Sequence, residues 1–445
     1  MTQRPLGHPE RSAPPLRSDS DAREGSALTS EVQIRRVARD DDKGARDDSL
    51  SPPESTLIRH RTAEFRRTTL ALFSAGFATF ALLYCVQPLM PVFAREFHVS
   101  AAKSSLPLSL TTGLLAPALI VAGVVSEARG RKAIMAASLL ASSLLMVAAS
   151  FVHRWEVFLV MRALVGITFA GFPAASMAYL SEEVHPTSIG LSMGLTIGGN
   201  GLGGMIGRLA AAVITDFFSW RVAIGAVGLV GLVATFIFWR TLPPSRHFTP
   251  RPVRLGALLR VFWSQLKEPK LAALDVEGFL LMGALVTTFN YVAFLLVAPP
   301  YSLPASLVGM IFIVYLIGIF SSAWIGSIAG RLGRGRMLSL MIALMLVGLG
   351  LTLLHPLAAI VLGISTVTFG FFGGHSVASA WVGLRATHAK AQAAALYLFS
   401  FYVGSSLAGS VGGLFWAWAK WPGVAGFVGA MLLAALGAAR IASEG

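Results

Sequence analysis

The sequence predicts an all-α membrane protein with twelve transmembrane helices, arranged as two pseudo-symmetric halves of six helices each. Of the 445 residues, 55% are hydrophobic and only 13% are charged, and the mean hydropathy is +0.68. Many windows exceed the ~20 apolar residues that cross a bilayer as a helix. One polar loop pattern occurs twice, about half the chain length apart, which indicates an internal duplication.

The segment before the first apolar run, residues 1–66, is rich in Pro, Ser, Asp and Arg and has no apolar periodicity. A segment of this composition cannot bury enough apolar surface to fold. It also lacks the apolar run near Met1 that a secretory signal needs. We therefore expect a disordered cytoplasmic tail.

The apolar runs predict a first half over residues 67–241 and a second half over residues 271–445. They divide into spans at about 69–94, 102–125, 133–152, 156–180, 188–214, 220–240, 272–298, 305–329, 336–354, 357–381, 390–416 and 421–441.

The linker between the halves, residues 242–270, begins with a proline-rich stretch that breaks the helix. Its second part predicts a basic amphipathic helix lying on an anionic membrane surface. The residues that define it are Leu255, Leu258, Leu259, Phe262 and Leu266, with Arg254, Arg260 and Lys267.

The orientation follows from the basic residues in the loops. With both termini in the cytoplasm, the inner loops and linker hold fifteen Lys and Arg, and the outer loops hold five. Basic loops stay inside, so we expect a multi-pass protein of a bacterial inner (cytoplasmic) membrane. The net charge of +14 therefore does not indicate nucleic-acid binding. The acidic loop at 182–188 departs from the pattern.

The repeated loop reads GVVSEARGRK over Gly123–Lys132 and GSIAGRLGRGR over Gly326–Arg336. Both copies join two apolar runs. They resemble the helix 2–3 signature of the major facilitator superfamily, G-x-x-x-D-R-x-G-R-R, with Glu127 in the acidic place and Gly330 replacing the acid in the second copy. The resemblance covers about residues 68–441 and implies a transporter fold of two six-helix halves.

The resemblance also implies that these loops control opening of the transport path. We expect Gly123 to allow close approach of another helix, and Glu127 to accept hydrogen bonds from a helix N-terminus. Arg131 is expected to pair with Glu182 or Glu183 and hold the halves together. The alternative is a loop that only satisfies the positive-inside rule. The candidate gating residues are Gly123, Glu127, Gly130, Arg131, Lys132, Gly326, Gly333 and Arg334.

The fifth span is rich in glycine, and its sequence GLSMGLTIGGNGLGGMIGR resembles the antiporter signature of the superfamily, G-x8-G-x3-G-P-x2-G-G. Gly204 stands where Pro is expected, and Arg208 where the last Gly is expected. The glycines predict tight packing against a helix of the other half. The resemblance implies export by antiport. The matching positions are Gly190, Gly199, Gly203, Gly204 and Gly207.

Four ionisable residues within the spans are candidates for proton coupling. Arg162 and Arg208 are expected to face a cavity, the alternative being extension to the outer interface. Glu277 is a candidate proton acceptor, the alternative being solvation near Lys267 and Lys270. His375 is a candidate proton relay, the alternative being a hydrogen-bonded packing residue.

Polar and aromatic side chains in the apolar spans are candidates for the substrate cavity, because such groups need a partner at this depth. Pro88 and Pro91 should loosen the outer end of the first span. The cavity candidates are Tyr84, Gln87, Asn200, Asn290, Tyr291, Tyr397 and Tyr402.

These observations predict a secondary transporter that exports a small organic compound in exchange for protons, working as a monomer. The segments FNYVAF, HSVASAWVG and YLFSFYVGSS resemble a branch of bacterial drug- or sugar-efflux permeases. The alternatives are a proton-coupled importer and a non-transporting membrane sensor. There is no phosphate-binding G-x4-G-K-[ST] loop, catalytic triad or metal-ligand cluster, so no enzyme activity, cofactor, metal or nucleic-acid partner is predicted.

Overall fold

The computed structural model describes residues 57–250, 255–387 and 389–443. Within them the chain is helical apart from loops and one isolated β-bridge between Ile58 and Val184. Eleven of the described helices are long and apolar enough to cross a membrane. The last of them contains two spans, because Ala419 and Lys420 break it with non-helical backbone angles.

The first half contains spans 1 to 6, which are Ala63–Glu96, Leu106–Arg129, Arg131–Ala149, Trp155–Glu183, Pro186–Phe217 and Trp220–Thr241. The second half contains spans 7 to 10, which are Pro269–Val297, Ala305–Leu332, Arg334–Leu351 and Leu357–Arg385, followed by span 11 at 390–418 and span 12 at 421–443. The predicted fold of twelve transmembrane helices is confirmed.

The helix boundaries differ from the predicted ones by a few residues. Span 1 begins at Ala63, inside the predicted tail, because Thr62 caps it by accepting a hydrogen bond from the Phe65 N–H. The predicted linker helix is present as Leu255–Leu266. Within it Phe262 is buried, whereas Trp263 and Leu266 are exposed. Residues 1–56 of the tail, Arg254, and the side chains of Leu255, Leu258 and Leu259 lie outside the described residues.

The same kind of close helix pair occurs in both halves, and the equivalent residues are roughly 200 positions apart in the sequence. A Cβ on Gly203 of span 5 would lie 2.0 Å from the carbonyl oxygen of Phe77 in span 1. A Cβ on Gly404 of span 11 would lie 2.1 Å from the carbonyl oxygen of Phe279 in span 7. Only glycine permits backbones to approach this closely, so each half is built around one tightly packed helix pair.

The alternating spans define two ends of the helical bundle. The near end carries Ile58, the loops after spans 2, 4, 8 and 10, the linker, and the last described residues. The far end carries the loops after the odd-numbered spans.

Candidate functional site

Span 1 is interrupted near the far end by two prolines. The α-helix ends at Tyr84, and a 3-10 turn covers Gln87–Leu89 before a second short α-helix completes the span. Pro88 and Pro91 have no N–H to donate to the preceding turn, so the helix bends there. The α-helix is thus interrupted at the prolines, while the loosening expected there stays a prediction. The bend places Gln87 completely inside the protein.

Arg162 of span 4 stabilises this interruption. Its Nε donates to the Pro107 carbonyl at 3.1 Å, and its terminal nitrogens donate to the carbonyls of Leu82 at 3.0 Å and Leu83 at 2.7 Å. Carbonyls in the last turn of a helix lack an intrahelical donor, and the guanidinium supplies it. The fully buried side chain thus completes the backbone of the first half. The expectation that Arg162 faces a cavity is wrong.

Arg208 of span 5 begins a hydrogen-bond chain that joins the two halves. Its Nε donates to Gln87 Oε1 at 2.6 Å, and Gln87 Nε2 donates to Asn290 Oδ1 at 2.8 Å. A guanidinium can only donate, so Gln87 must present its oxygen to Arg208 and its nitrogen to Asn290. The direction of the chain is therefore fixed. It leaves the buried Asn290 Nδ2 without an acceptor among the described residues.

Aromatic rings surround the Arg208 guanidinium. Its central carbon lies 4.0 Å from the ring centroid of Tyr84, 4.8 Å from that of Tyr315 and 5.0 Å from that of Phe312. These cation–π contacts place one ring from the first half and two from the second around a side chain that is 2% exposed. The sequence analysis missed Phe312 and Tyr315, because two aromatic residues in an apolar span have no distinguishing pattern.

One face of span 5 is directed toward span 8. Gly190, Gly194, Gly201, Arg208 and Ala212 follow one another at steps of four or seven residues, which return to nearly the same side of a helix.

Among the described residues, the close contacts along this face lie toward the far end. The Asp216 carboxylate accepts hydrogen bonds from the N–H groups of Ala305 at 3.0 Å and Ser306 at 2.7 Å, at the start of span 8. A Cβ on Gly309 would lie 2.5 Å from Ala212 Cβ, and one on Gly201 would lie 3.2 Å from Ile319 Cδ1. Closer to the near end, Cβ atoms on Gly194 and Gly190 would meet no described atom within 4 Å.

Spans 2 and 11 also touch toward the far end. Ser406 Oγ donates to the Ser109 carbonyl at 2.7 Å. A Cβ on Gly413 would lie 2.3 Å from the Ala102 backbone, which precedes span 2. Together with the contacts between spans 5 and 8, these contacts close the far end of the interface. The Arg208 chain lies at the point from which spans 5 and 8 separate toward the near end.

The glycines that resemble the antiporter signature have a different partner from the predicted one. Cβ atoms on Gly199, Gly203 and Gly207 would lie 2.6, 2.0 and 2.6 Å from backbone atoms of span 1, within the same half. The expectation that they pack against the other half is wrong, because the close helix pair is internal to each half. A Cβ on Gly204 would lie 3.2 Å from Arg208 NH1, and one on Gly190 would meet no described atom within 4 Å.

The first polar loop is organised by Arg131. Its NH2 lies 2.8 Å from Glu127 Oε1 and 2.6 Å from Glu182 Oε1, and its NH1 donates to Ser126 Oγ at 3.1 Å. The predicted pairing with Glu182 is confirmed. Both carboxylates belong to the first half, so these ion pairs do not hold the halves together as expected. Glu127 is bound by Arg131 rather than by a helix N-terminus.

The glycines of the two loops are equivalent at the turn but differ in how closely they pack against other helices. Gly130 and Gly333 occupy equivalent turns with φ of 95° and 90°, a backbone conformation that favours glycine. A Cβ on Gly326 would lie 2.7 Å from Ser376 Oγ, whereas one on Gly123 would meet no described atom within 4 Å. The expected close helix approach at Gly123 is therefore wrong.

The basic residues that follow those turns also differ. Lys132 Nζ donates to the Leu242 carbonyl at the start of the linker. The Arg334 guanidinium lies 3.7 Å from a Cβ placed on Gly330, the position that replaces the acid in this copy.

A second polar cluster lies in the near-end part of the second half. Glu277 is fully buried, and no side chain among the described residues donates a hydrogen bond to its carboxylate, which lies near the backbone of Ala439. Tyr397 lies close enough to interact electrostatically with Glu277 and Asp275. The Tyr397 hydroxyl and His375 Nδ1 are 2.9 Å apart and share a hydrogen bond. Three of the predicted residues therefore line one region between spans 7, 10 and 11.

The remaining cavity candidates divide between packing and open polar groups. Tyr291 donates to the Gly409 carbonyl at 2.8 Å, so its hydroxyl is satisfied within the second half. Asn200 Oδ1 is buried without a partner among the described residues, next to Gly76 of span 1. Tyr402 is buried and packs edge-on against Phe401. No group of three His, Cys, Asp or Glu side chains suited to a metal occurs in the described part of the chain.

A helical membrane protein of two repeated halves, with a polar site enclosed between them, has the architecture of a secondary transporter. The sequence matches the family model of the Major Facilitator Superfamily over residues 72–409. The chain belongs to the major facilitator superfamily, whose members are membrane transporters of small molecules and not enzymes.

Relatives from distant bacteria share nearly the whole membrane region. The MFS-type transporter YybF of Bacillus subtilis (strain 168) is 49% identical over 381 residues, covering 86% of this chain and 94% of the relative. The inner membrane transport protein YnfM of Escherichia coli (strain K12) is 46% identical over 388 residues, covering 87% and 93%.

Solved structures show the same fold at low sequence identity. A bacterial homologue of the human lysosomal transporter Spinster, in an inward-facing and occupied conformation, superposes with a TM-score of 0.65 at 14% identity, covering 86% of this chain and 95% of that one. The nucleoside transporter NupG superposes with a TM-score of 0.70 at 15% identity, covering 83% and 99%.

Proposed function

We propose that this transporter exports a small organic compound across a bacterial inner membrane in exchange for protons, by alternating access. The observation that carries the proposal is the arrangement of spans 5 and 8, which touch from Asp216 to Gly201 and separate at Gly194 and Gly190. A path between two halves that is closed at one end and parted at the other is one state of such a cycle.

The proposed orientation places the near end in the cytoplasm. The near-end loops and linker carry fifteen Lys and Arg residues in the sequence, against five at the far end. This asymmetry favours the near end inside, and the relative YnfM is named an inner membrane protein. In this orientation the structure corresponds to an inward-facing state, ready to receive a compound from the cytoplasm.

The opposite state requires spans 5 and 8 to meet at the near end. Gly190 and Gly194 have no side chains to prevent that approach, and the contacts of Asp216 and Ala212 would then have to break. One set of helix contacts would be exchanged for another, with the Arg208 chain between them. All of these groups come from one chain, so we propose that a monomer completes the path.

We assign the proton to Glu277. A fully buried carboxylate that receives no hydrogen bond from a described side chain is costly while charged, so binding of a proton stabilises it. The titratable groups near it are Asp275, Tyr397 and, through Tyr397, His375. A carboxyl in the second half that exchanges its proton as the halves move would couple the pH gradient to transport. The resemblance of span 5 to the antiporter signature supports exchange rather than cotransport.

The direction of transport can be tested with everted membrane vesicles. A thermal-stabilisation screen of the purified protein would select a compound, which is then radiolabelled. Vesicles with an acidic lumen should accumulate it, and collapse of the pH gradient with an uncoupler should abolish accumulation. Accumulation by intact cells that an uncoupler abolishes would instead identify an importer.

The proton assignment is tested by Glu277→Gln, which resembles the protonated carboxyl in shape. We expect counterflow of labelled compound, which needs no net proton movement, to persist, while accumulation driven by the pH gradient is lost. Glu156→Gln, at the far end of span 4, is the matched control and should behave like the wild type. Accumulation that keeps its full pH dependence in Glu277→Gln would remove this residue from the proton path.

A further inference from the structure

We propose that the compound carried is an organic anion, whose carboxylate is bound by Arg208 between the two halves. The inference rests on the proposed function, in that it takes the region where spans 5 and 8 separate as the transport path. It adds the chemical class of the substrate and the group that recognises it.

The first argument is an excess of hydrogen-bond donors. Within the described residues, Arg208 uses Nε for Gln87 Oε1 and NH1 for the Gly204 carbonyl at 2.7 Å, and its NH2 group has no partner. At the other end of the chain, the buried Asn290 Nδ2 also has no acceptor. Because the guanidinium fixes the direction of the chain, neither amide can rotate to supply an acceptor. A ligand that satisfies these donors must bring acceptor oxygens.

The second argument is an unmatched charge. Arg208 is 2% exposed, and its partners within the described ranges are an amide, a backbone carbonyl and three aromatic rings, with no carboxylate among them. The acids within the described part of span 7 are Asp275 and Glu277. Glu277 precedes Asn290 by thirteen positions, or ~20 Å along the helix. A buried cation is strongly disfavoured without an anion, and a substrate carboxylate would provide one.

The third argument concerns the shape of the rest of the ligand. Tyr84 of the first half and Phe312 and Tyr315 of the second bound the guanidinium with ring faces. Such surroundings suit a flat apolar group attached to the carboxylate. A molecule held by Arg208 on one side and by Asn290 and Tyr315 on the other would contact both halves, as a substrate of an alternating-access cycle must.

The experiment compares three probes that share a ring and differ in charge, namely benzoate, benzamide and benzylammonium. Binding to the purified full-length protein is measured by thermal stabilisation at probe concentrations up to about 10 mM. We expect benzoate to bind at least about tenfold more tightly than the other two, the gain of a charge-assisted hydrogen bond. Equal or weaker binding of benzoate, or none, overturns the proposal.

Substitutions test whether the site around Arg208 causes the tighter binding of benzoate. Arg208→Gln should remove the advantage of benzoate, while Arg154→Gln, which deletes an exposed arginine at the far end, should retain it. Asn290→Asp keeps the acceptor for Gln87 but adds a negative charge, and it should weaken benzoate about tenfold while leaving benzamide unchanged. It tests the site even if Arg208→Gln fails to fold. If benzoate still binds more tightly than the other probes in Asn290→Asp, or no longer does so in Arg154→Gln, the proposal is overturned.

The assay needs no pH gradient, so it separates this proposal from the proposed function. Anion selectivity that depends on Arg208 in a protein without proton-driven accumulation would leave the site intact and refute the antiport. Proton-driven accumulation of a neutral or cationic compound by a protein that does not prefer benzoate would refute the anion site and leave the antiport intact.

Discussion

Two buried arginines, Arg162 and Arg208, look alike in the sequence and perform different tasks in the structure. Both lie in glycine-containing apolar spans of the first half, both are at most 2% exposed, and neither contacts a carboxylate in the part of the chain that the structure describes. Arg162 donates to three backbone carbonyls within one half. Arg208 contacts side chains of both halves and retains an unused NH2 group within the described residues. Burial therefore does not identify a functional arginine, whereas the kind of partner does.

The largest expected loss of stability in this comparison is that of Arg162→Gln. The substitution leaves the carbonyls of Leu82 and Leu83 short of donors, and each buried unsatisfied group costs about 1–3 kcal/mol. We expect about 3 kcal/mol or more of destabilisation and a parallel loss of transport, measured by unfolding of the purified protein and by flux per folded molecule. Normal stability with lost transport would contradict a structural role.

Gln87→Leu should cause the next largest loss of stability. It removes the link between the two halves and leaves Arg208 Nε and Asn290 Oδ1 without partners, at a cost of about 1–3 kcal/mol. Because the link joins the halves next to the contacts that close the far end, the variant should also favour opening on that side. Labelling of a cysteine introduced at Ser410, in a protein whose Cys85 is replaced by Ala, should become faster. Gln392→Leu, near the other end of span 11, serves as the control, and equal labelling in both would contradict the role of Gln87.

Thr111→Val tests the surroundings of Arg162. The Thr111 hydroxyl lies 2.7 Å from the Pro107 carbonyl oxygen and 2.8 Å from the Arg162 carbonyl oxygen, and it can donate its single proton to either. Its loss should cost about 1 kcal/mol, the usual net value of one hydrogen bond. Transport per folded molecule should be unchanged, and a selective loss of transport would show that this region takes part in substrate binding.

Arg208→Gln should change stability least, by less than about 1 kcal/mol, because losing hydrogen bonds is offset by removing a buried unmatched charge. Transport should nevertheless fall by about tenfold or more. The unfolding and flux measurements used for Arg162→Gln also test these two expectations for Arg208→Gln. Equal destabilisation by the two substitutions would contradict the assignment of a structural role to Arg162 and a binding role to Arg208.

The fold could be predicted almost completely from the sequence, because each span is a long apolar run and the polar loop is repeated. Part of the site could be predicted too: Gln87, Arg208 and Asn290 are polar groups in apolar helices, which must find partners. The role of Arg162 could not be predicted, since its partners are backbone carbonyls, which every residue has. Phe312 and Tyr315 were missed because aromatic residues do not stand out in an apolar span.

The polar loop shows a different limit of sequence reasoning. Residue type and charge were enough to pair Arg131 with Glu182. The predicted consequence, that this pair fastens one half to the other, failed because both residues belong to the first half. The glycines of span 5 failed in the same way, since a small residue predicts close packing without specifying the partner helix.

Glu183 has a mechanical consequence for the whole molecule. This buried carboxylate accepts hydrogen bonds from the backbone N–H groups of Arg246 and His247, while the adjacent Val184 pairs with Ile58. The beginning of the linker and the residues that lead into span 1 are thus held against the end of span 4. When one half moves past the other, the described chain up to His247 is therefore expected to travel with the first half.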